Sequence, residues 1–275
     1  MDLSQALEIA TRSDKGMVRS HNEDAVFANP VAGFVILADG MGGYNAGEVA
    51  SGMATALLGS ELEKSFAARE PYQTEPDGRL WAHVVLEAEI ARANGAIYQA
   101  AQSQPQYAGM GTTLVMAVFH DNAVTIAHIG DSRLYRLRGE EFGPVTRDHS
   151  LLQEQIDGGI ITAEQARHSQ NKNLVTRALG VDPAVEPEVR DYDVLPGDIY
   201  LLCSDGLNDM VDDEEISMTL QALAANLELC ATQLVQMAND NGGRDNVSVI
   251  LVRIKEEFPA PARGGWLARL LAWFK

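Results

Sequence analysis

The sequence predicts an α+β fold built on antiparallel strands, and three observations carry that prediction. Strand-length apolar runs recur within 7–38, 109–137 and 199–254, bounded by Gly, Pro, Asn and Asp turn signals. Successive strands in the second block are joined by only His120-Asp121-Asn122 and Gly130-Asp131-Ser132. Links that short favour meander pairing over crossovers. Between the blocks lie Gly47–Ala67 and Gly78–Ala101, rich in Ala, Leu and Glu, with apolar residues at three- and four-residue intervals that read as helix.

The opening strands are expected at Leu7–Thr11, Asp24–Ala28 and Gly33–Ala38, broken at Asp14-Lys15-Gly16 and Asn29-Pro30. The third is the centre of the reading. Phe34-Val35-Ile36-Leu37-Ala38 is apolar throughout, as in a strand covered on both faces, and it stops at Asp39-Gly40-Met41-Gly42-Gly43. Glycines there let the backbone turn tightly and approach a ligand. A carboxylate in such a place is costly unless something positive faces it: an Arg, a helix N-terminus or a metal ion.

In the helices, Leu80, Trp81, Val84, Val85, Ile90 and Ile97 read as core-facing, with Trp81 and His83 serving packing and surface. The second strand block follows Gly109-Met110-Gly111-Thr112-Thr113 and runs Leu114–Phe119, Ala123–Ile129 and Arg133–Leu137. From Asp148 to about Asp193 the pattern is mixed and polar. Short helices are expected at Ser150–Ile156 and Thr162–His168, the second opened by a capping-box spacing, Thr162 to Gln165. Ile199–Cys203 then repeats the strand-Asp-Gly signature with Asp205-Gly206. Helical patterns follow at Glu214–Ala225 and Leu227–Asn239. The last strand, Val247–Ile254, is introduced by Gly242-Gly243-Arg244-Asp245-Asn246. No linker divides residues 1–255, which are read as one domain. Residues 256–275 are a linker and an apolar-aromatic tail, Trp266–Lys275. That tail is expected either to contact a membrane or partner, or to fold back on its own domain.

The 275 residues are 46% hydrophobic, enough for a full core, and carry a formal charge of −18. So acidic a chain argues against nucleic acid as partner. Two distant cysteines, Cys203 and Cys230, make neither a disulfide framework nor a zinc site. With no secretory leader and no run of about 18 apolar residues, a cytoplasmic protein is expected.

Asp39, Asp131, Asp205 and Asp245 each stand beside a glycine-containing turn at a strand end, and Glu23-Asp24 marks a fifth such place. Any one of them reads equally well as a turn former bonding its own backbone. As a set they read as convergent carboxylates, which need cations to share a site. An oxygen-only donor set selects Mg²⁺ or Mn²⁺ over zinc, and no histidine pair has zinc-type spacing.

The ordered segments Val18-Arg19-Ser20-His21-Asn22-Glu23-Asp24, Ala38-Asp39-Gly40-Met41-Gly42-Gly43, Gly111-Thr112-Thr113, Gly130-Asp131-Ser132-Arg133, Ser204-Asp205-Gly206 and Gly243-Arg244-Asp245-Asn246 resemble the motif series of the metal-dependent protein phosphatases (PPM, type 2C) in their bacterial form. The resemblance spans about residues 8–254. It implies a four-layer α-β-β-α sandwich, two central antiparallel sheets flanked by helices, with the metals at one end between the sheets. It further implies that Asp39 bridges two ions, with the Gly40 carbonyl on the first and Asp205 and Asp245 on the second. Glu23 and Asp24 would hold metal-bound waters, Asp131 with Asp205 a third, weaker ion, and Arg19 the phosphate. The planar fork of Arg19 suits two phosphoryl oxygens, although an ion pair with Glu23 or Asp24 is an equally available role.

On this resemblance the chain is a monomeric serine/threonine phosphatase using a metal-activated bridging water. Its partners would be phosphorylated proteins, through which it reverses a bacterial Ser/Thr kinase. Residues 150–190 correspond to the family's variable flap, where Arg177 reads either as a substrate contact or as a structural cation. Met41 and Tyr44 stand where relatives carry histidines, so a metal-bound water or solvent is expected to protonate the leaving group. The rivals are a catalytically silent phosphoprotein-binding module of the same fold and a two-metal nuclease, which the acidic charge disfavours.

Overall fold

The computed structural model of the protein describes residues 2–43, 45–162, 165, 166, 169 and 174–258. Tyr44, most of the expected Thr162–His168 helix and the tail beyond Phe258 lie outside the described residues. The strands are β1 (Leu7–Asp14), β2 (Asp24–Asn29), β3 (Phe34–Met41), β4 (Gly111–Thr112), β5 (Leu114–His120), β6 (Ala123–Ile129), β7 (Arg133–Arg138), β8 (Glu141–Pro144), β9 (Glu188–Asp193), β10 (Ile199–Cys203) and β11 (Val247–Ile254). They form two antiparallel sheets, ordered β1-β11-β10-β7-β8 and β2-β3-β5-β6-β9, with β4 paired to the end of β3. The helices are α1 (Ala46–Ala68), α2 (Trp81–Ser103), α3 (Leu151–Asp157), α4 (Asp205–Asn208), α5 (Asp213–Leu223) and α6 (Leu227–Asp240).

The period of two along β3 sorts its apolar run between two cores. Phe34, Ile36 and Ala38 pack with α1 and α2, whereas Val35 and Leu37 enter the core between the sheets. That middle core also takes Val115, Ala117 and Phe119 of β5 and Tyr200, Leu202, Ile250 and Val252 of the opposite sheet. A third core sets α5 and α6 against Leu201, Cys203, Val249 and Leu251. The order is therefore helix, sheet, sheet, helix, the four layers that the resemblance implies. No described helix is long and apolar enough to cross a membrane.

Helix α1 tapers toward the carboxylate end of β3. Its buried stripe falls at every fourth residue: Ala46, Ala50 and Ala54, then Leu58, Leu62 and Phe66. Burying each of the three large side chains contributes about 1.5–3 kcal/mol. The alanines let the N-terminal half press close to β3. Gly40 and Gly47 complete the approach, since a Cβ on Gly40 would lie 2.1 Å from the Gly47 carbonyl oxygen.

Besides the two-residue β4, two strands escaped the sequence reading, β8 and β9. Each is an edge strand, and β9 (Glu-Val-Arg-Asp-Tyr-Asp) is charged at most positions, a composition that blunts an exposed edge and hides the strand from hydrophobic patterning. Strand β3 also runs past Asp39, which lies inside it opposite Asp24. The capping box at Thr162 does form: its N–H donates to Gln165 Oε1 (2.8 Å), and the Gln165 N–H donates to Thr162 Oγ1 (3.2 Å).

Candidate metal centre

Counting on by two from Val35 and Leu37 carries Asp39 onto the face between the sheets. Asp24, its partner in register, shares that face with Val26 and Ala28. The carboxylates from the other sheet arrive at its strand ends, Asp205 opening α4 directly beyond β10 and Asp245 in the turn before β11. Asp131 follows β6 in a turn where Gly130 takes φ 103°, a left-handed conformation suited to glycine. Asp39, Asp131, Asp205, Asp245, Glu23, Gly40 and Arg19 line one cavity of about 240 Å³, together with Met41, Gly42, Thr113 and Val175. Asp24 lies behind this wall. Its Oδ2 accepts from Ser204 Oγ of the opposite sheet at 2.8 Å, and its buried Oδ1 has no hydrogen-bond partner.

These carboxyls raise one another's pKa. Burial, then the charges of Asp24, Asp205, Asp131 and Asp245, holds Asp39 well above the ordinary carboxylate range. Burial and the charges of Asp131 and Asp245 do the same to Asp205. Burial moves Asp24 to about 6 against the pull of Ser248 and Ser204. Asp131 also rises to about 6, from burial first and Asp148 second. Glu23 rises mainly through burial. Arg19 is half exposed and donates from Nη2 to Asp245 Oδ2 at 2.6 Å, which raises its own pKa. It pairs with Asp245 rather than with Glu23 or Asp24.

The donor set fits hard divalent cations. Apart from the Met41 thioether every ligand atom the wall can offer is oxygen, neither Cys nor His lines the cavity, and an acidic cluster this buried is relieved by positive charge. The orphaned Asp24 Oδ1 suits a water held around such an ion.

Three residues with no role assigned from the sequence organise the wall. Thr113 accepts from the Asp39 N–H through Oγ1 (3.0 Å) and returns its own N–H to the Asp39 carbonyl (2.9 Å), which Thr112 Oγ1 also contacts at 2.8 Å. Asn246 accepts from the Glu23 N–H (2.8 Å) and donates to the carbonyls of Lys15 (3.0 Å) and His21 (2.9 Å). It thereby fastens the whole Arg19-bearing loop to the start of β11. Thr112, Thr113 and Asn246 sit within recognisable motifs, but a hydroxyl or amide that grips backbone leaves no pattern of its own in sequence.

Arg177 is exposed and does not line the cavity; its charge instead acts on His149, whose pKa falls to about 4 chiefly through burial. Two histidines far apart in the sequence do meet. His128 and His149 stack at 4.6 Å beside Glu188. The Gly130 N–H donates to His149 Nδ1 (3.2 Å), which leaves the proton of the neutral ring on Nε2 and no lone pair toward Glu188, 3.8 Å away. This trio is a packing device at the root of the flap. Cys203 is a buried strand residue, its thiol pushed up to about 12 by burial.

The family model described as Protein phosphatase 2C matches residues 17–241. The serine/threonine protein phosphatase PstP of Mycobacterium tuberculosis is 41% identical over 248 residues, 90% of this chain, and the chain spans only 45% of that relative's length. The serine/threonine phosphatase stp of Listeria welshimeri is 40% identical over 247 residues, 88% of this chain and 93% of its own. A crystal structure of the PstP catalytic domain in complex with 2 manganese ions superposes with a TM-score of 0.78 at 40% identity, covering 91% of this chain and 99% of that one. Fold, motif order and these likenesses agree: the chain belongs to the protein phosphatase 2C family.

Proposed function

We propose that the protein is a metal-dependent serine/threonine phosphatase that hydrolyses phosphoserine and phosphothreonine in other proteins, so reversing a Ser/Thr kinase. The observation that carries this reading is the convergence of Asp39, Asp205 and Asp245 on one cavity with Arg19 at its wall. Asp39 would be shared by two Mn²⁺ or Mg²⁺ ions, Gly40 would serve the first through its carbonyl, and Asp205 and Asp245 the second. Asp131 with Asp205 is suited to a third, and Glu23 and Asp24 to holding the water around them. When bound, such ions supply a hydroxide at neutral pH and offset charge on the phosphoryl oxygens.

The chain's own residues do the rest. Arg19 binds and orients the phosphoryl group by charge-assisted hydrogen bonds. Thr112, Thr113 and Asn246 keep Asp39 and the Arg19 loop in place. Met41 lines the cavity without offering a proton, so the leaving alkoxide takes its proton from water. Buried thiols, far above neutrality in pKa, supply no nucleophile.

The test is turnover of a phosphothreonine peptide. Activity with manganese that EDTA abolishes is the expected result. Binding of the peptide without turnover would favour the silent phosphoprotein-binding module, and turnover unaffected by EDTA would remove the metals from the reaction.

A further inference from the structure

Exposed apolar side chains gather beside the metal cavity. Of the ten large hydrophobic side chains exposed among the described residues, four adjoin residues that line it: Met17 and Val18 before Arg19, Leu174 before Val175, and Val181 beside Met41. Met17 and Val18 both donate their N–H groups to the Gly243 carbonyl, which sets them beside Asp245 and immediately before Arg19. Across the cavity, Leu174 precedes the wall residue Val175, and Val181 meets Met41 over Gly111. Met17 and Val18 are 70% and 68% exposed, so most of their apolar surface faces water.

A cavity of about 240 Å³ takes a phosphoryl group and the side chain bearing it. The neighbouring residues of a protein substrate must then cross the rim, and in extended chain each advances about 3.3 Å. We infer that the preferred substrates are segments with aliphatic residues on both sides of the phosphorylated Ser or Thr, seated on Met17 and Val18 to one side and on Leu174 and Val181 to the other. Acidic flanks are disfavoured twice, by loss of apolar contact and by the formal charge of −18. The inference rests on the phosphatase reading and names its substrate class.

Three phosphothreonine peptides alike except for the two residues on each side (Val, Ser or Asp) test it, with p-nitrophenyl phosphate assayed alongside. The expected order of kcat/KM is Val, Ser, Asp, with Val ahead of Ser by about tenfold. In M17S/V18S and in Val181→Ser the Val-to-Ser ratio should shrink toward one, and Val18→Leu should retain it. Equal rates for the Val and Ser peptides, or a ratio untouched by both serine variants, would overturn the inference while turnover of the small ester leaves the phosphatase reading standing. Failure to turn over the small ester with manganese would sink that reading, and this inference with it.

Discussion

Asp24 and Asp39 lie directly opposite one another on β2 and β3, both facing the seam between the sheets, where neither carboxyl is fully solvated. Like charges so placed oppose pairing of the strands that carry them. Between pH 4 and 6 the folded protein binds more protons at Asp24 and Asp131 than the unfolded chain, whose carboxyls titrate near 3.8. The carboxyls therefore make the metal-free protein less stable as pH rises through that window, the shift at Asp24 alone being on the order of 3 kcal/mol. Buried His149, His128 and His120, their pKa values depressed, pull the other way, and Asp39 and Asp205, raised further, tip the balance to the carboxyls. Thermal denaturation in EDTA should show a melting temperature higher at pH 5 than at pH 7. Protons and manganese compete for the same oxygens, so the melting-temperature gain on adding manganese should grow with pH.

Asp205→Asn separates the functional cost of this cluster from its structural cost. Replacing a buried, repelled carboxylate by an amide should leave the metal-free protein equally or more stable at pH 7. Turnover should drop by at least about a hundredfold, since even outer residues of metal sites cost that much. Paired measurements of peptide hydrolysis and of melting with and without manganese check both halves. Wild-type turnover would remove Asp205 from the ligand set.

Asn246 occupies a position where its amide satisfies three backbone groups, those of Glu23, Lys15 and His21. Asn246→Asp keeps the acceptor but loses both donors. The Arg19 loop should loosen, raising KM for a phosphopeptide by about tenfold or more with a smaller change in kcat. A purely structural defect would lower the amount of folded enzyme and leave KM unchanged.

Arg133 on β7 grips Asp148 through Nε and Nη2 at 2.7–3.1 Å, and its Nη1 donates to Tyr135. Arg133→Met would strand Asp148 with little water to replace its partner. A loss of about 3 kcal/mol is expected by urea denaturation, and R133M/D148L should recover part of it.

How much of this was legible in the sequence depends on the kind of interaction. Strands β3, β5, β6, β10 and β11 announce themselves because apolar runs are buried on both faces. β9 does not, because Glu188, Arg190, Asp191 and Asp193 give it the appearance of a loop. Its role emerges only in three dimensions, where Asp191 accepts from Thr125 Oγ1 at 2.6 Å and meets His83 of α2 at 2.8 Å. The carboxylates were visible through their glycine neighbours and motif order. The pairing of Asp24 with Asp39 was not, since register follows from hydrogen bonding between strands rather than from residue type. Nor was the meeting of His128 with His149, twenty-one positions apart in the chain.

Asp24 and Asp39 belong to one sheet of the sandwich, Asp205 and Asp245 adjoin strand ends of the other, and Asp131 sits in the turn that crosses from the first to the second. Any cation seated among them thus acts as a rivet through both leaves of the protein. On the proposed function, the same few oxygens would serve both catalysis and the cohesion of the metal-bound protein. Withholding metal should open this end first, with amide exchange quickening around β2 and the start of β11 while the far end, packed with Leu3, Phe119 and Phe258, stays shut.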